Sequence, residues 1–476
     1  MSSDKPLVYR NYLVAVLLLI QCWNFVDRNA LGLVLQEIKV DLSLSDTQLG
    51  LLTGIAFALF YSVMGIPIAR WADRGNRVTI ITISTALWSV AVVFCGVAGS
   101  FLQFLLIRIA VAVGEAGCIP PAYSLIGDYF TRAERPRAVG VYMLGGALSC
   151  VVGYFMAGWL NEVYGWRVTF MMLGLPGAAL AAVTWFTLKE PRLERATLRS
   201  TTPLVGARVS SPKPAAALSS GQSGLKDLWV ALWAIATFRQ LLLCISLTFF
   251  FNYGILQWEP TFFIRSYGLR TGELGAWFAV IYGLGGLLGT YFGGELACRF
   301  AANNERLQLK AMAIAYCGLA VIMACAFLSP NRYLAFGFLG VSTVVGCTGN
   351  GPFFATIQTI VPDRMRAVSI ALIYLFANLI GMGLGPLVAG ALSDALRPLL
   401  GEESLRYALL VLSPGYILAG CHLWWASKTV TRDIEAAEVD RLRAVRVDTG
   451  EYIGVNRVMT GTVETCVKQG VNWSKG

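Results

Sequence analysis

Charged residues are scarce in this chain, because Asp, Glu, Lys and Arg make up only 14% of its 476 residues. Soluble proteins carry about 25%, so a soluble globular fold is excluded for most of the chain. Histidine occurs once, at His422, which excludes a metal site built from several histidines. The eleven cysteines show no Cys-x-x-Cys spacing, so we expect neither a disulfide framework nor a metal site.

Catalytic and nucleotide-binding motifs are also missing from the sequence. It contains no P-loop and no recognisable catalytic triad. The stretch GLGGLLGTYFGG misses the dinucleotide-binding pattern GxGxxG, because position 288 is Leu and no predicted strand precedes it. Its Gly285, Gly289 and Gly293 recur every four residues, which is typical of closely packed membrane helices. We therefore expect no enzyme and no cofactor, and keep a membrane enzyme or receptor as the alternative from another class.

Long apolar runs fill the chain, of which 56% is hydrophobic. A helix needs about 20 mostly apolar residues to span a bilayer. The sequence predicts an all-α membrane protein with twelve such helices. We predict them at 12–35, 48–69, 78–98, 101–123, 138–160, 168–188, 239–264, 273–298, 310–329, 332–355, 367–392 and 406–427.

The spacing of these runs divides the chain into four parts. Residues 1–189 are predicted to form one six-helix bundle and residues 237–428 a second. Residues 190–236 are rich in Pro, Ser and Arg and predict a cytoplasmic linker with a short amphipathic helix at its end. Residues 429–476 are polar and predict a flexible cytoplasmic tail.

Positive charge is concentrated in particular loops rather than on one face. The loop after the second run carries Arg70, Arg74 and Arg77, and the linker is basic throughout. Cytoplasmic loops of membrane proteins carry an excess of Lys and Arg. We therefore expect both termini in the cytoplasm and a multi-pass protein of the cell membrane. We also expect it to be a monomer in the lipid bilayer and to bind no nucleic acid.

Four charged residues lie inside the predicted spans of the first half. Asp27 and Arg28 interrupt the first run, and Arg108 and Glu115 lie in the fourth. One charge near the bilayer centre costs a few to about 10 kcal/mol. At about 1.5 Å per residue, Asp27 and Arg108 lie at similar depth, and Glu115 lies about 10 Å deeper on the same helix face as Arg108. The two charges Asp27 and Arg108 therefore match in depth.

Several stretches resemble a known family of transporters. The two halves echo each other, as in AERPRAVGVYML and PDRMRAVSIALIYL, and WADRGNR resembles a loop signature of the major facilitator superfamily. NFVDR, WADRGNR and RIAVAVGEAG further resemble spinster-like transporters. The resemblance implies a two-bundle fold with a substrate path between the halves. It implies that the first and fourth helices both line this path, so we expect a contact between Asp27 and Arg108. It also implies a role in substrate binding and proton coupling for the four charged residues.

The residues themselves suggest how that role is divided. Arg28 and Arg108 stay charged and would bind an anionic group, because guanidinium binds carboxylate or phosphate in two-point contacts. Asp27 and Glu115 would exchange protons. The alternative is a fixed salt-bridge network that pins two helices together. For Asp73, Arg74 and Arg77, at the end of the second span, we predict a gating role.

The second half offers polar and aromatic candidates for substrate contact. They are Asn252, Tyr253, Trp258, Tyr282, Asn350 and Asn378. We expect a secondary active transporter that moves an anionic, amphipathic organic substrate by alternating access, coupled to the proton gradient. A proton-coupled symporter for aromatic or sugar acids is one alternative. A multidrug efflux antiporter for cations is another, although two buried arginines argue against it.

Overall fold

The computed structural model describes residues 7–131, 133–192, 225–302, 304–362 and 365–449, and every regular element in them is a helix. The first half contains α1 (Leu7–Asp41), α2 (Asp46–Thr53), α3 (Ile55–Arg74), α4 (Arg77–Cys95), α5 (Phe101–Ala116), α6 (Ile119–Tyr129) and α7 (Arg135–Thr187). The second half contains α8 (Leu225–Ala234), α9 (Ala236–Leu256), α10 (Glu259–Tyr267), α11 (Thr271–Phe278), α12 (Gly285–Phe300), α13 (Glu305–Leu328), α14 (Arg332–Thr348), α15 (Asn350–Ile360), α16 (Arg366–Phe376), α17 (Gly383–Leu400), α18 (Ser404–Leu412) and α19 (Gly415–Thr449). Most of the predicted linker and the end of the predicted tail lie outside the described residues.

Ten helical segments of the described residues are long and apolar enough to cross a membrane. Two of them are unusually long and each contains two of the predicted apolar runs. Helix α7 has 53 residues and is broken at Gly165, whose positive φ of 76° suits glycine. The segment Val368–Val439 has 72 residues. The chain is therefore an all-helical, multi-pass membrane protein.

Polar side chains and glycine set several helix boundaries. The Ser45 hydroxyl accepts a hydrogen bond from the backbone N–H of Gln48 at the start of α2. Ser100 does the same for Gln103 at the start of α5. Such caps satisfy backbone N–H groups that have no partner inside the helix. Gly268, with φ 67°, ends α10 in the left-handed conformation.

The two halves pack tightly at one end of the molecule, which we call the closed end. It contains Asp41, the last residue of α1, and Asp46, the first residue of α2. A Cβ atom on Gly275 of α11 would lie 2.3 Å from the carbonyl oxygen of Tyr154 in α7. A Cβ on Gly50 would lie 2.4 Å from the carbonyl oxygen of Pro386. The halves therefore meet backbone against backbone at this end, and only glycine fits at the contact.

The C-terminal helix continues beyond the last predicted span. Helix α19 runs without a break to Thr449, so the first part of the stretch predicted as a flexible tail is helical. Tertiary contacts explain the difference, because Val430 is fully buried and Asp433 accepts a hydrogen bond of 2.8 Å from the backbone N–H of Thr237. Helix α8 occupies the stretch for which a short amphipathic helix is predicted.

Candidate functional site

Two helices of the first half bring Asp27 and Arg108 together. Arg108 Nη1 donates a hydrogen bond of 2.8 Å to Asp27 Oδ2, and both side chains are only 2% exposed. Helix α1 supplies the aspartate and α5 the arginine. The contact predicted from matched depth is confirmed.

The other two charges of this set also form an ion pair. Arg28 Nε donates a hydrogen bond of 2.8 Å to Glu115 Oε2, and Arg28 Nη2 donates to the same oxygen. Glu115 is fully buried, whereas the Arg28 side chain is 16% exposed. The sequence did not predict this pair, because counting along the helices ignores how far a long arginine side chain can reach.

Aromatic rings surround the Arg28 guanidinium. Its Cζ atom lies 4.4 Å from the ring centre of Phe57, 4.7 Å from that of Phe25 and 5.0 Å from that of Tyr61. Rings at this distance attract the cation through their negative faces. They hold the guanidinium in place without neutralising its charge, so Glu115 is its counter-ion in this structure.

The charged set keeps unused hydrogen-bonding capacity. Asp27 Oδ1, Arg108 Nε and Glu115 Oε1 are buried and have no hydrogen-bond partner among the described residues. Buried polar atoms in native proteins almost always have a partner. Three unpaired atoms in one cluster therefore indicate a place where a proton, a water molecule or a ligand can bind.

Both arginines line a small cavity between the two halves, which we call the arginine cavity. It has a volume of about 40 Å³. Tyr253 and Gln257 of the second half face Arg28 and Arg108 across it. The two carboxylates are not among its lining residues. A small anionic group entering this cavity would therefore meet two guanidinium groups.

A larger cavity of about 270 Å³, the tyrosine cavity, lies within the second half and shares Tyr253 with the first. Four residues predicted for substrate contact line it: Asn252, Tyr253, Tyr282 and Asn350. Sequence reasoning missed the importance of Glu259, the charged residue of this lining. The signal is present in the sequence, because Glu259 interrupts an apolar run as Asp27 does.

Two predicted contact residues lie outside both cavities. Trp258 is fully buried, and its indole N–H donates a hydrogen bond of 2.9 Å to the carbonyl oxygen of Pro386. In this structure the indole of Trp258 therefore packs between helices, and its substrate contact stays a prediction. Asn378 lies in a π-helical turn, Ala377–Met382, and lines neither cavity.

The three predicted gating residues are placed differently from one another. Asp73 and Arg74 are exposed at the end of α3. Arg77 is fully buried at the start of α4, where it forms ion pairs with Asp128 and Glu190. Burial alone would raise the pKa of Glu190. Hydrogen bonds from the Arg77 side chain and from the backbone N–H groups of Arg192 and Arg77 outweigh burial. They hold the pKa of Glu190 below its ordinary value.

Replacing Glu190 by Gln is expected to destabilise the first half by roughly 1–3 kcal/mol, because Arg77 loses a buried partner. A lowered pKa in the folded state means that the stabilisation is present above about pH 4.5 and is lost as the pH falls below it. Thermal unfolding in detergent at several pH values checks this. The gap between wild type and Glu190→Gln should shrink in acid; a gap that stays constant contradicts the assignment.

Comparisons with known proteins identify the family of this chain. The sequence profile of the Major Facilitator Superfamily matches residues 17–386. This chain belongs to the major facilitator superfamily. It is 31% identical to an MFS-type efflux pump of Mycolicibacterium smegmatis over 88% of this chain and 93% of the pump. It is 26% identical to a probable L-galactonate transporter of Escherichia coli over 82% of this chain and 83% of the transporter.

A solved structure is similar as well. It is the crystal structure of a bacterial homolog of the human lysosomal transporter Spinster, in an inward-facing and unoccupied conformation. The TM-score is 0.77 at 29% identity, over 90% of this chain and 99% of that chain. The predicted resemblance to spinster-like transporters is confirmed. The chain is a membrane transporter and not an enzyme.

The ion pairs remove one argument against cationic substrates. Two buried arginines were expected to disfavour a cation, but Asp27 and Glu115 compensate both of them. The uncompensated buried charge among the described residues of the two cavities is the carboxylate of Glu259. The charges of the first half of the site are therefore balanced, whereas the second half carries a carboxylate without a cation partner among the described residues.

Proposed function

We propose that this chain is a secondary active transporter that moves an organic anion together with a proton by alternating access. It crosses the cell membrane twelve times, because α7 and the segment Val368–Val439 would each cross twice. Both termini lie in the cytoplasm, and the chain works as a monomer. The anionic group of the substrate binds Arg28 and Arg108 in the arginine cavity.

The pairing of Arg28 with Glu115 carries this proposal. A proton on the Glu115 carboxylate removes the charge that holds Arg28 and frees the guanidinium for an anionic group. Proton and substrate then bind together, and the site stays electrically balanced. The partial exposure of Arg28 supports this role, because a guanidinium that served only as a helix pin would need no access to a cavity.

Ion pairs at the closed end support alternating access. Asp46 of the first half accepts hydrogen bonds of 2.7 and 2.8 Å from Arg265 of the second. It also accepts hydrogen bonds from Ser393 and Lys39. Such pairs can break and re-form, which gives a rocking transporter two alternative states. With cytoplasmic termini, the closed end faces outward and the conformation is inward-facing.

The Asp27–Arg108 pair fits the alternative of a fixed salt bridge better than the Arg28–Glu115 pair does. Both of its side chains are almost completely buried. Breaking one partner of such a pair leaves an uncompensated charge and costs about 3–5 kcal/mol. We therefore propose that Asp27 holds Arg108 in position and shares protons with the set, whereas Glu115 is the carboxylate that competes with the substrate.

Replacing Arg28 by Gln is expected to weaken anion binding by ten- to a hundredfold, because a charge-assisted hydrogen bond contributes about 1.5–3 kcal/mol. The test is a thermal-shift screen of lysophospholipids, sphingoid phosphates and aromatic or sugar acids on purified protein. Anions that stabilise the wild type should not stabilise Arg28→Gln.

The matched control is Arg167→Gln, which removes an arginine paired with Asp41 at the closed end, away from both cavities. It should keep the anion response of the wild type. An Arg28→Gln variant that folds and binds every active anion as tightly as the wild type would overturn the proposed substrate site.

A further inference from the structure

The tyrosine cavity holds one carboxylate, Glu259, that has no cation partner among the described residues. Glu259 is 2% exposed, and the Tyr282 hydroxyl donates a hydrogen bond to its Oε2 atom. None of the residues that line the cavity is Lys, Arg or His. No described cation lies within ion-pair distance of Glu259, in contrast to Asp27 and Glu115. Among the described residues nothing balances the charge of Glu259, which leaves a proton or a bound cation for that role.

Aromatic rings form much of the wall around this carboxylate. The four tyrosines that line the cavity are Tyr253, Tyr282, Tyr316 and Tyr416. Tyr282 is held in place by ring contacts of 5.7 Å with Tyr154 and with Phe278. Tyrosine rings attract cations through their faces, and several rings around one site are typical of quaternary ammonium binding.

The rest of the cavity is apolar and suits an organic body. Ile245, Leu319 and Met323 contribute aliphatic side chains to the lining, and Phe249 contributes a ring. The volume of about 270 Å³ holds a group the size of a substituted benzene, whereas a bare metal ion would leave most of it unfilled.

We propose that the tyrosine cavity binds an organic cation, with its ammonium group against Glu259 and its apolar body along Ile245, Phe249, Leu319 and Met323. The inference goes beyond the proposed function and does not depend on it, since neither Arg28 nor Glu115 lines this cavity. A cation too large for the arginine cavity can bind here while the first half keeps both of its ion pairs.

The test uses benzyltrimethylammonium, whose charge is permanent, in calorimetric titrations of the purified full-length protein. The wild type should bind it. Glu259→Gln keeps the shape and the hydrogen bond to Tyr282 but removes the charge, and should weaken binding at least tenfold. Glu259→Asp keeps the charge and should recover part of the affinity. The matched control is Glu295→Gln, which neutralises an exposed carboxylate outside the cavity and should bind as the wild type does.

Two results would overturn the inference. One is a wild type that does not bind the probe, which would leave a proton as the partner of Glu259. The other is a folded Glu259→Gln variant with wild-type affinity. If that variant does not fold, Tyr316→Leu replaces it, and unchanged affinity there would also count against the site. Anion binding at Arg28 should be the same in wild type and Glu259→Gln, so the outcome is distinct from that of the proposed function.

Discussion

Glu115→Gln is expected to abolish accumulation of substrate against its gradient while exchange of substrate across the membrane continues. Glutamine cannot take up the proton that frees Arg28 in the wild type. It also carries no charge, so in the variant Arg28 is available to the anion at every pH. Binding should therefore persist and lose its pH dependence.

Proteoliposomes with purified protein and labelled substrate measure both activities. One proton moved across a pH difference of one unit supplies about 1.4 kcal/mol, which supports a concentration ratio of about ten. The wild type should reach that ratio, and Glu115→Gln should stop near equal concentrations. Asp27→Asn is expected to lose accumulation as well, because it leaves Arg108 without its partner.

Glu134→Gln is the matched control for this experiment. Glu134 is also a carboxylate paired with an arginine of α1, Arg10, but its side chain is 43% exposed and lies outside both cavities. Its removal should leave accumulation unchanged. Accumulation by Glu115→Gln with the pH dependence of the wild type would contradict the coupling role of Glu115.

Asp46→Ala is expected to open the closed end of the molecule. Asp46 is fully buried and pairs with both Lys39 and Arg265. Its removal leaves two largely buried cations without a counter-ion, at a cost of about 3–5 kcal/mol. An equilibrium between two conformations shifts about tenfold for each 1.4 kcal/mol, so the closed conformation should lose at least about a hundredfold in population.

Hydrogen exchange followed by mass spectrometry reads this shift. Backbone amides around α2 and α10 should exchange faster in Asp46→Ala than in the wild type. The matched control is Asp41→Ala at the same end, because the partners of Asp41 among the described residues, Arg167 and Trp166, both belong to its own half. Equal protection of the closed end in Asp46→Ala and in the wild type would show that this pair does not hold the halves together.

The sequence predicted the helices and the first ion pair because both depend on local spacing. Apolar run length determines which segments can span a bilayer, and helix rise determines depth. Together with the helix arrangement that the family resemblance implies, those two quantities predicted the contact between Asp27 and Arg108. The same reasoning did not predict the pairing of Arg28 with Glu115. Counting the rise per residue gives the depth of each backbone position but does not include the length of the arginine side chain.

The second half was harder to predict because its residues take their roles from tertiary packing. Trp258 and Tyr253 are both aromatic and lie in the same apolar run. Only the structure distinguishes them. The indole N–H of Trp258 donates a hydrogen bond to the carbonyl oxygen of Pro386, whereas Tyr253 lines both cavities. Glu259 stood out in the sequence as a charge, but the absence of a partner cation becomes visible only when its described neighbours are known.

Proton uptake on ligand binding tests the central claim most directly. Purified protein in weakly buffered detergent solution, with a pH indicator, is mixed with a saturating anion from the thermal-shift screen. At a pH where Glu115 is ionised, the wild type should take up close to one proton for each anion bound, because Arg28 exchanges its partner. Glu115→Gln should bind the anion without proton uptake. Anion binding to the wild type with no proton uptake, or equal uptake by the variant, would contradict the exchange of Glu115 for substrate at Arg28.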